Sequence, residues 1–194
     1  MPTLHLAKDL ILTYSEKLQN VLVTSEWSNV DLLAQDMLKC WKEKRRVFLC
    51  GNGGSGANAV HLANDFLYGI AKKTGGGINA QALSANSAVI TCLANDVGYE
   101  SIFSEQLAVQ AQERDLLIVL SGSGNSPNIL RVIDQAKKMG VKTFAILGFN
   151  GGSSKKIVDI PIHFNINDMQ IAEDLQLIVG HMVMQYLFEQ KESI

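Results

Sequence analysis

Hydrophobic positions along the chain change period several times, and each change marks an element. Leu4, Leu6, Leu10, Ile11, Tyr14, Leu18, Val21 and Leu22 recur at spacings of three and four with charged residues between them, which predicts an amphipathic helix over residues 4–25. A second helix is predicted after Ser28 or Asn29, either of which can cap it. It continues through Leu32, Leu33, Met37, Leu38 and Trp41 to the basic run Lys42, Lys44, Arg45 and Arg46. Those cations suit the negative end of a helix and read as an exposed last turn, not as a binding patch. The period then collapses into Val47-Phe48-Leu49-Cys50, a short continuous apolar run expected of a strand buried on both faces.

Gly51-Asn52-Gly53-Gly54-Ser55-Gly56 follows that strand and opens a helix carrying His61 and Asp65 one turn apart. The same unit recurs. Residues 116–120 form a strand that enters Ser121-Gly122-Ser123-Gly124-Asn125-Ser126, Pro127 suits a first helical position, and Ile129, Leu130, Val132, Ile133 and Ala136 supply a buried face. Residues 78–83 read as a strand with Ser84 at its end. Helical spacing over 86–94 and 101–112 is interrupted by a turn at Asn95-Asp96-Val97-Gly98-Tyr99. After a helix stop at Gly140, strands are predicted over 143–147 and 157–164. The last helix should run from Asp168 to about Glu189, with an apolar centre over 175–184 that predicts burial on most sides. Strands alternating with helices imply an α/β fold: a three-layer α-β-α sandwich around a five-stranded parallel sheet, with ligands at the strand ends where the winding reverses. The two leading helices lack an evident sheet face of their own and are expected to pack against another subunit.

Composition narrows the function classes. A chain of 194 residues, 47% hydrophobic and 19% charged, has the make-up of one globular domain. Its apolar runs fall short of the roughly 18 residues that span a bilayer, and no basic start leads into an apolar block, so a cytoplasmic protein without a membrane partner is expected. Cys40, Cys50 and Cys92 are odd in number and sit among apolar residues, which suits buried reduced thiols. A net charge of −2 leaves no broad basic surface for nucleic acid, so any phosphate must be held by local geometry.

Gly51, Gly53 and Gly56 satisfy the dinucleotide spacing G-x-G-x-x-G, but Leu83-Ser84-Ala85-Asn86 offers no carboxylate for a ribose at the end of the next strand. Neither glycine turn ends in the Gly-Lys-Ser/Thr of a nucleoside-triphosphate loop, so no nucleotide cofactor is expected. Hydroxyls of Ser121, Ser123 and Ser126, free backbone N–H groups and a helix start instead suit a phosphomonoester. His61 and Asp65 share one helix face, while Glu173, Asp174 and His181 interrupt an otherwise apolar helix, where unpaired charge is costly. Such groups need partners, and a metal or a substrate would provide them. His5 and His163 have no comparable company and read as structural or exposed.

Cys50-Gly51-Asn52-Gly53-Gly54-Ser55, Ala59-Val60-His61, Ala94-Asn95-Asp96, the Ser121 to Ser126 turn and the Glu173 to His181 segment together resemble the sugar isomerase (SIS) family, and within it the phosphoheptose isomerases. The resemblance covers nearly the full chain. It implies a single SIS domain over 1–194, with N-terminal helices over 1–45 and a flavodoxin-like core over 46–194. It also implies a cytoplasmic homotetramer with sites between subunits, converting sedoheptulose 7-phosphate to D-glycero-D-manno-heptose 7-phosphate through an enediol, for lipopolysaccharide or capsule. Carried over by position, Asn52, Gly53, Gly54, Ser55, Ser121, Gly122, Ser123 and Ser126, with Asp96, would hold the substrate. His61, Asp65, Glu173 and His181 would be metal positions, with zinc the expected ion, and Asp65, Glu173 and His181 the catalytic set; Asp174 is a competing carboxylate. The family has Glu where Asp65 stands, Gln where Glu173 stands and Asp-Arg where Gln170-Ile171 stands. These departures keep two alternatives open: an isomerase of another sugar phosphate, and a non-catalytic SIS module that binds a sugar phosphate or a protein partner.

Overall fold

The computed structural model describes residues 7–190. Leu4, His5 and Leu6 lie outside the described residues. Strands β1 (Arg46–Gly51), β2 (Asn79–Ala82), β3 (Leu116–Ser121), β4 (Lys142–Leu147) and β5 (Ile160–His163) form one sheet in the order β2-β1-β3-β4-β5. Every neighbouring pair is parallel, as the alternation of strand and helix predicts. Because β1 pairs with β2 on one side and β3 on the other, the winding reverses there, and a crevice opens beyond the C-terminal ends of β1 and β3.

The unbroken apolar runs are explained by cover on both faces. Val47 and Leu49 of β1, with Leu116, Ile118 and Leu120 of β3, face the helices α2 (Ser28–Lys42), α3 (Gly53–Asn64), the short α4 (Ile70–Thr74) and α9 (Met169–Glu189). Phe48, Cys50, Leu117 and Val119 point the other way, into a core completed by α6 (Ser104–Gln110) and α7 (Pro127–Lys138). Burying each large side chain of such a core contributes about 1.5–3 kcal/mol. No helix among the described residues is long and apolar enough to cross a membrane.

Several expectations are corrected by packing. Helix α2 has a sheet face after all: Val30, Leu33, Ala34, Met37, Cys40 and Trp41 are buried in its own chain's core, so packing against another subunit is not what holds it. Trp27, in helical conformation, precedes it, and neither Ser28 nor Asn29 acts as a cap; the Asn29 amide instead donates to the Pro161 carbonyl at 2.7 Å, tying α2 to β5. The basic run is not simply an exposed last turn, because Arg45 and Arg46 reach the carbonyls of Arg114 and Gln110 at the entry to β3. Helix α5 (Ser87–Asp96) continues through Asn95 and Asp96, and the break falls at Val97 and Gly98, where Gly98 has φ of 100°. Ile157 ends the short helix α8 (Ser154–Ile157) instead of starting a strand, and β5 waits for Asp159, whose carboxylate accepts from the Thr143 backbone N–H at 2.9 Å. Cys40 and Cys50 are buried free thiols, and burial lifts Cys40 to about 11; Cys92 is exposed, contrary to expectation.

Helix α1 (Ala7–Thr24) buries only Val21 and leaves Leu10, Ile11 and Val23 exposed. It is clasped to the start of α9, where Tyr14 donates to Asp174 and Lys17 lies 3.5 Å from Asp168. Asp168 also caps α9 by accepting from the Ile171 N–H, as the position of its carboxylate predicts. Helix α9 is buried along one side only, since His181 and Met182 are exposed within the chain. Its buried side packs parallel to α3, with Asn58 donating to the Gln176 side chain at 3.0 Å near one end and Leu62 filling the space beside Gly180 near the other.

Two measurements check this packing. A Cβ at Gly180 would meet other atoms of the buried Leu62 side chain at 2.8 and 3.1 Å, so Gly180→Ala should destabilise the fold by about 1–3 kcal/mol in urea unfolding. Burial beside α9 and the Asp174 carboxylate raise Tyr14 to about 12, against 10.0 for a free phenol. The folded state therefore holds this proton more tightly, and the stabilisation it brings is complete below pH 10 and lost as pH rises toward 12. Tyr14→Phe should abolish that portion of the alkaline stability loss and remove one late-titrating phenol from the ultraviolet titration.

Candidate functional site

The site grows from two strand-turn-helix units whose strands are neighbours. At Gly51 an added Cβ would strike the Ser55 carbonyl at 2.6 Å and the Leu120 carbonyl at 2.9 Å, so the first turn can fold this tightly only without a side chain there. Between this turn and the Ser121 to Ser126 turn lies a cavity of about 260 Å³, lined by Asn52, Gly53, Gly54, Ser55, Ser121, Gly122, Ser123 and Ser126, with Leu120, Met169 and Glu173. Every predicted substrate position is there except Asp96. That residue is exposed at the end of α5, where hydrogen bonds from Asn95 and the Cys92 thiol hold its carboxyl below the usual range.

Hydrogen bonds within the chain orient the polar groups of the cavity. Ser55 Oγ accepts from Gln176 Nε2 at 2.9 Å, Ser121 Oγ from the Gly124 N–H at 3.1 Å and Ser123 Oγ from the Asn125 N–H at 3.3 Å. A hydroxyl that accepts in this way keeps its own proton to donate, so three O–H groups are left for an anion. Asn52 does not point freely at a ligand. Its amide exchanges two hydrogen bonds with buried Asn128, at 2.9 and 2.8 Å, and accepts a third from Tyr99 at 3.1 Å, which pins the turn to α7.

Further along α3 stands the second cluster. His61 Nε2 lies 3.1 Å from His181 Nε2, and Asp65 Oδ2 lies 3.3 Å from the first and 3.4 Å from the second. Two ligands of one tetrahedral ion, each about 2.0–2.1 Å from it, stand about 3.3 Å apart, so these three donors already have a metal-site spacing. Asp65 gains its place from a break in the helix: residues Asp65–Gly69 form a π turn, with the Ile70 N–H bonding back to the Asp65 carbonyl. The Phe66 carbonyl in that turn accepts from the Ile78 N–H at 3.0 Å, so the loop before β2 holds the bulge in place.

Glu173, expected among the metal ligands, does not stand with the trio within one chain. It stands two turns earlier on α9, and its carboxylate lies against Gly54 in the cavity. Asp174, about 100° further round the helix, accepts from the Tyr14 hydroxyl and does not line the cavity. His163 is structural, as expected, bonded to the Phe149 carbonyl at 2.9 Å. The sequence reading missed Gln176, Asn128 and the π turn. A glutamine inside an apolar helix was the available signal for the first; nothing in the local pattern announces the others.

Together the fold and the site define an α/β protein with a serine-lined cavity at the switch point of its sheet and, beside it, two histidines and an aspartate spaced as a metal site would need. Residues 12–148 match the SIS domain model. The chain is 37% identical to the phosphoheptose isomerase of Nitratiruptor sp. over 75% of its own length and 78% of the relative's, and 36% identical to that of Akkermansia muciniphila over 80% and 82%. A solved phosphoheptose isomerase from Francisella tularensis superposes with a TM-score of 0.85 at 25% identity, covering 95% of this chain and all of the other. The chain belongs to the SIS domain family and, within it, to the phosphoheptose isomerases.

The trio has a direct test. After loading with a divalent metal, elemental analysis of His61→Ala, Asp65→Ala and His181→Ala should each show at least a tenfold loss of bound ion, because removing one of three protein ligands leaves too few for a closed site. Glu173→Gln should retain the ion.

Proposed function

We propose that this chain is an aldose-ketose isomerase converting sedoheptulose 7-phosphate to D-glycero-D-manno-heptose 7-phosphate through an enediol. The observation that carries the reading is the layout along α3: the serine-lined cavity lies at its start and the His61, Asp65 and His181 trio at its end. His61 lies six helical steps beyond Ser55, a rise of about 9 Å, which an extended sugar chain with its phosphate at one end can bridge. The phosphate would rest on the O–H groups of Ser55, Ser121, Ser123 and Ser126 and on the free N–H groups at the start of α3. Its carbonyl end would then fall beside the trio.

Oδ2 of Asp65 faces both histidines, and Oδ1 lies on the other side, 3.5 Å from the Asn64 amide. That oxygen would carry a proton between C1 and C2, while His181 would exchange a proton with the two oxygens. Glu173, in the cavity, is the second carboxylate within reach of the sugar. Zinc, held by His61, Asp65 and His181, would polarise the carbonyl when bound.

A homotetramer with sites shared between subunits is supported by the exposure of the trio. The His61 side chain is 49% and the His181 side chain 46% accessible in one chain, more open than proton transfer at a carbon favours. A cytoplasmic place in lipopolysaccharide or capsule synthesis completes the proposal. One observation favours a second reading, an isomerase of another sugar phosphate: Ile171 is fully buried in the core and has no group to offer a substrate hydroxyl where the family carries arginine.

Metal-loaded protein should incorporate solvent deuterium at C1 or C2 of sedoheptulose 7-phosphate, followed by NMR, and Asp65→Asn should lower kcat by about 10²–10⁴-fold. Exchange with a different ketose or aldose phosphate in place of this one would establish the second reading. Binding without any exchange would leave a sugar-phosphate-binding module.

A further inference from the structure

Helix α9 reaches across the cavity with two side chains one turn apart. Met169 rests on the second turn, where a Cβ at Gly122 would meet its sulfur at 2.5 Å, and Glu173 rests on the first, where a Cβ at Gly54 would meet its carboxyl carbon at 2.6 Å. The backbone beneath Glu173 is fixed, because Asn58 Nδ2 donates to its carbonyl at 3.0 Å. Its carboxylate, by contrast, makes no hydrogen bond or ion pair among the described residues. Among the residues lining the cavity, Glu173 is the one that carries a charge, and the charge has the same sign as a phosphate. The N–H groups of Gly53, Gly54 and Ser55, which open α3, have no acceptor among the described residues, so the carboxylate sits where the helix start favours a negative group.

We propose that Glu173 is a specificity-determining residue: its carboxylate occupies the anion seat beside the first turn of α3, and a phosphate enters by displacing it. The inference rests on the reading of this cavity as the phosphate seat. Two negative charges in one small cavity repel, and the free energy of moving Glu173 is subtracted from the binding of every anion. A bare anion has nothing to offer the displaced carboxylate. A polyhydroxylated sugar phosphate has, because hydroxyls next to the phosphate can donate to it and recover part of the loss. Glu173 thus favours polyol phosphates over inorganic phosphate and sulfate by making the simple anions bind poorly.

The test is calorimetric titration of the full-length protein and of Glu173→Gln with inorganic phosphate, sulfate and sedoheptulose 7-phosphate, with Glu173→Ala as a second variant and thermal melts to establish folding. Both variants should bind phosphate and sulfate about tenfold more tightly than the unaltered protein, and the sugar phosphate should gain less than about threefold. Unchanged or weaker phosphate binding in both variants would overturn the proposal, as would an equal gain for all three ligands. Turnover is scored separately in the unaltered protein. Isomerisation without the phosphate gain overturns this inference alone, and the gain without isomerisation overturns the isomerase reading alone.

Discussion

The close parallel contact between α3 and α9 is the constraint on which the site depends. Leu62 fills the space that a side chain at Gly180 would take, and the residues on either side of that contact, His61 and His181, are thereby brought to 3.1 Å. The same register places Gln176 on Ser55 and Glu173 on Gly54 at the other end. One packing contact between two buried apolar surfaces therefore fixes both the His61, Asp65 and His181 trio and the wall of the serine-lined cavity. Cores are close-packed and do not slide continuously, so the two halves of the site cannot shift independently along these helices.

The sheet supplies the second coordinate. The adjacency of β1 and β3 sets two glycine- and serine-rich turns side by side, although Gly51 and Ser121 are 70 positions apart. Asn52 and Asn128 tie the first turn to α7 through their paired amides, and loss of Asn52 would leave buried Asn128 without its partner at a cost of about 1–3 kcal/mol. The π turn at Asp65 has a related function. It interrupts regular helix at Asp65 and is held by the Ile78 N–H, so the loop leading into β2 contributes to the position of a carboxylate it does not touch. For a shortened acid at this position, such a local change in helix geometry is one way to bring Oδ2 nearly equidistant from two histidines.

The architecture was legible because its causes are local or periodic. Continuous apolar runs mark strands covered on both sides, serine and glycine at strand ends mark the turns, and the spacing of Leu32, Leu33 and Met37 marks a buried helix face. The errors came where tertiary contacts overrode local signals. Ser28 and Asn29 have capping side chains, but Asn29 found the Pro161 carbonyl instead. Cys92 lies in an apolar stretch, but α5 turns it outward beside Asp96. Asp174 and Glu173 are neighbours on one charged segment, and the helical step of about 100° per residue sends one to Tyr14 and the other into the cavity.

What the sequence determined by itself is the class of fold, the two glycine- and serine-rich turns at strand ends and most of the polar residues gathered around them, since each follows from residue type and spacing within a single element. The grouping of those residues was decided by tertiary structure. His61 and Asp65 can be paired from their spacing on one helix, but His181 joins them, and Glu173 stays away, only because α9 lies parallel to α3 in one particular register. That register is set by side-chain volume at Leu62 and Gly180, a contact between positions 118 residues apart, and no period in the chain encodes it.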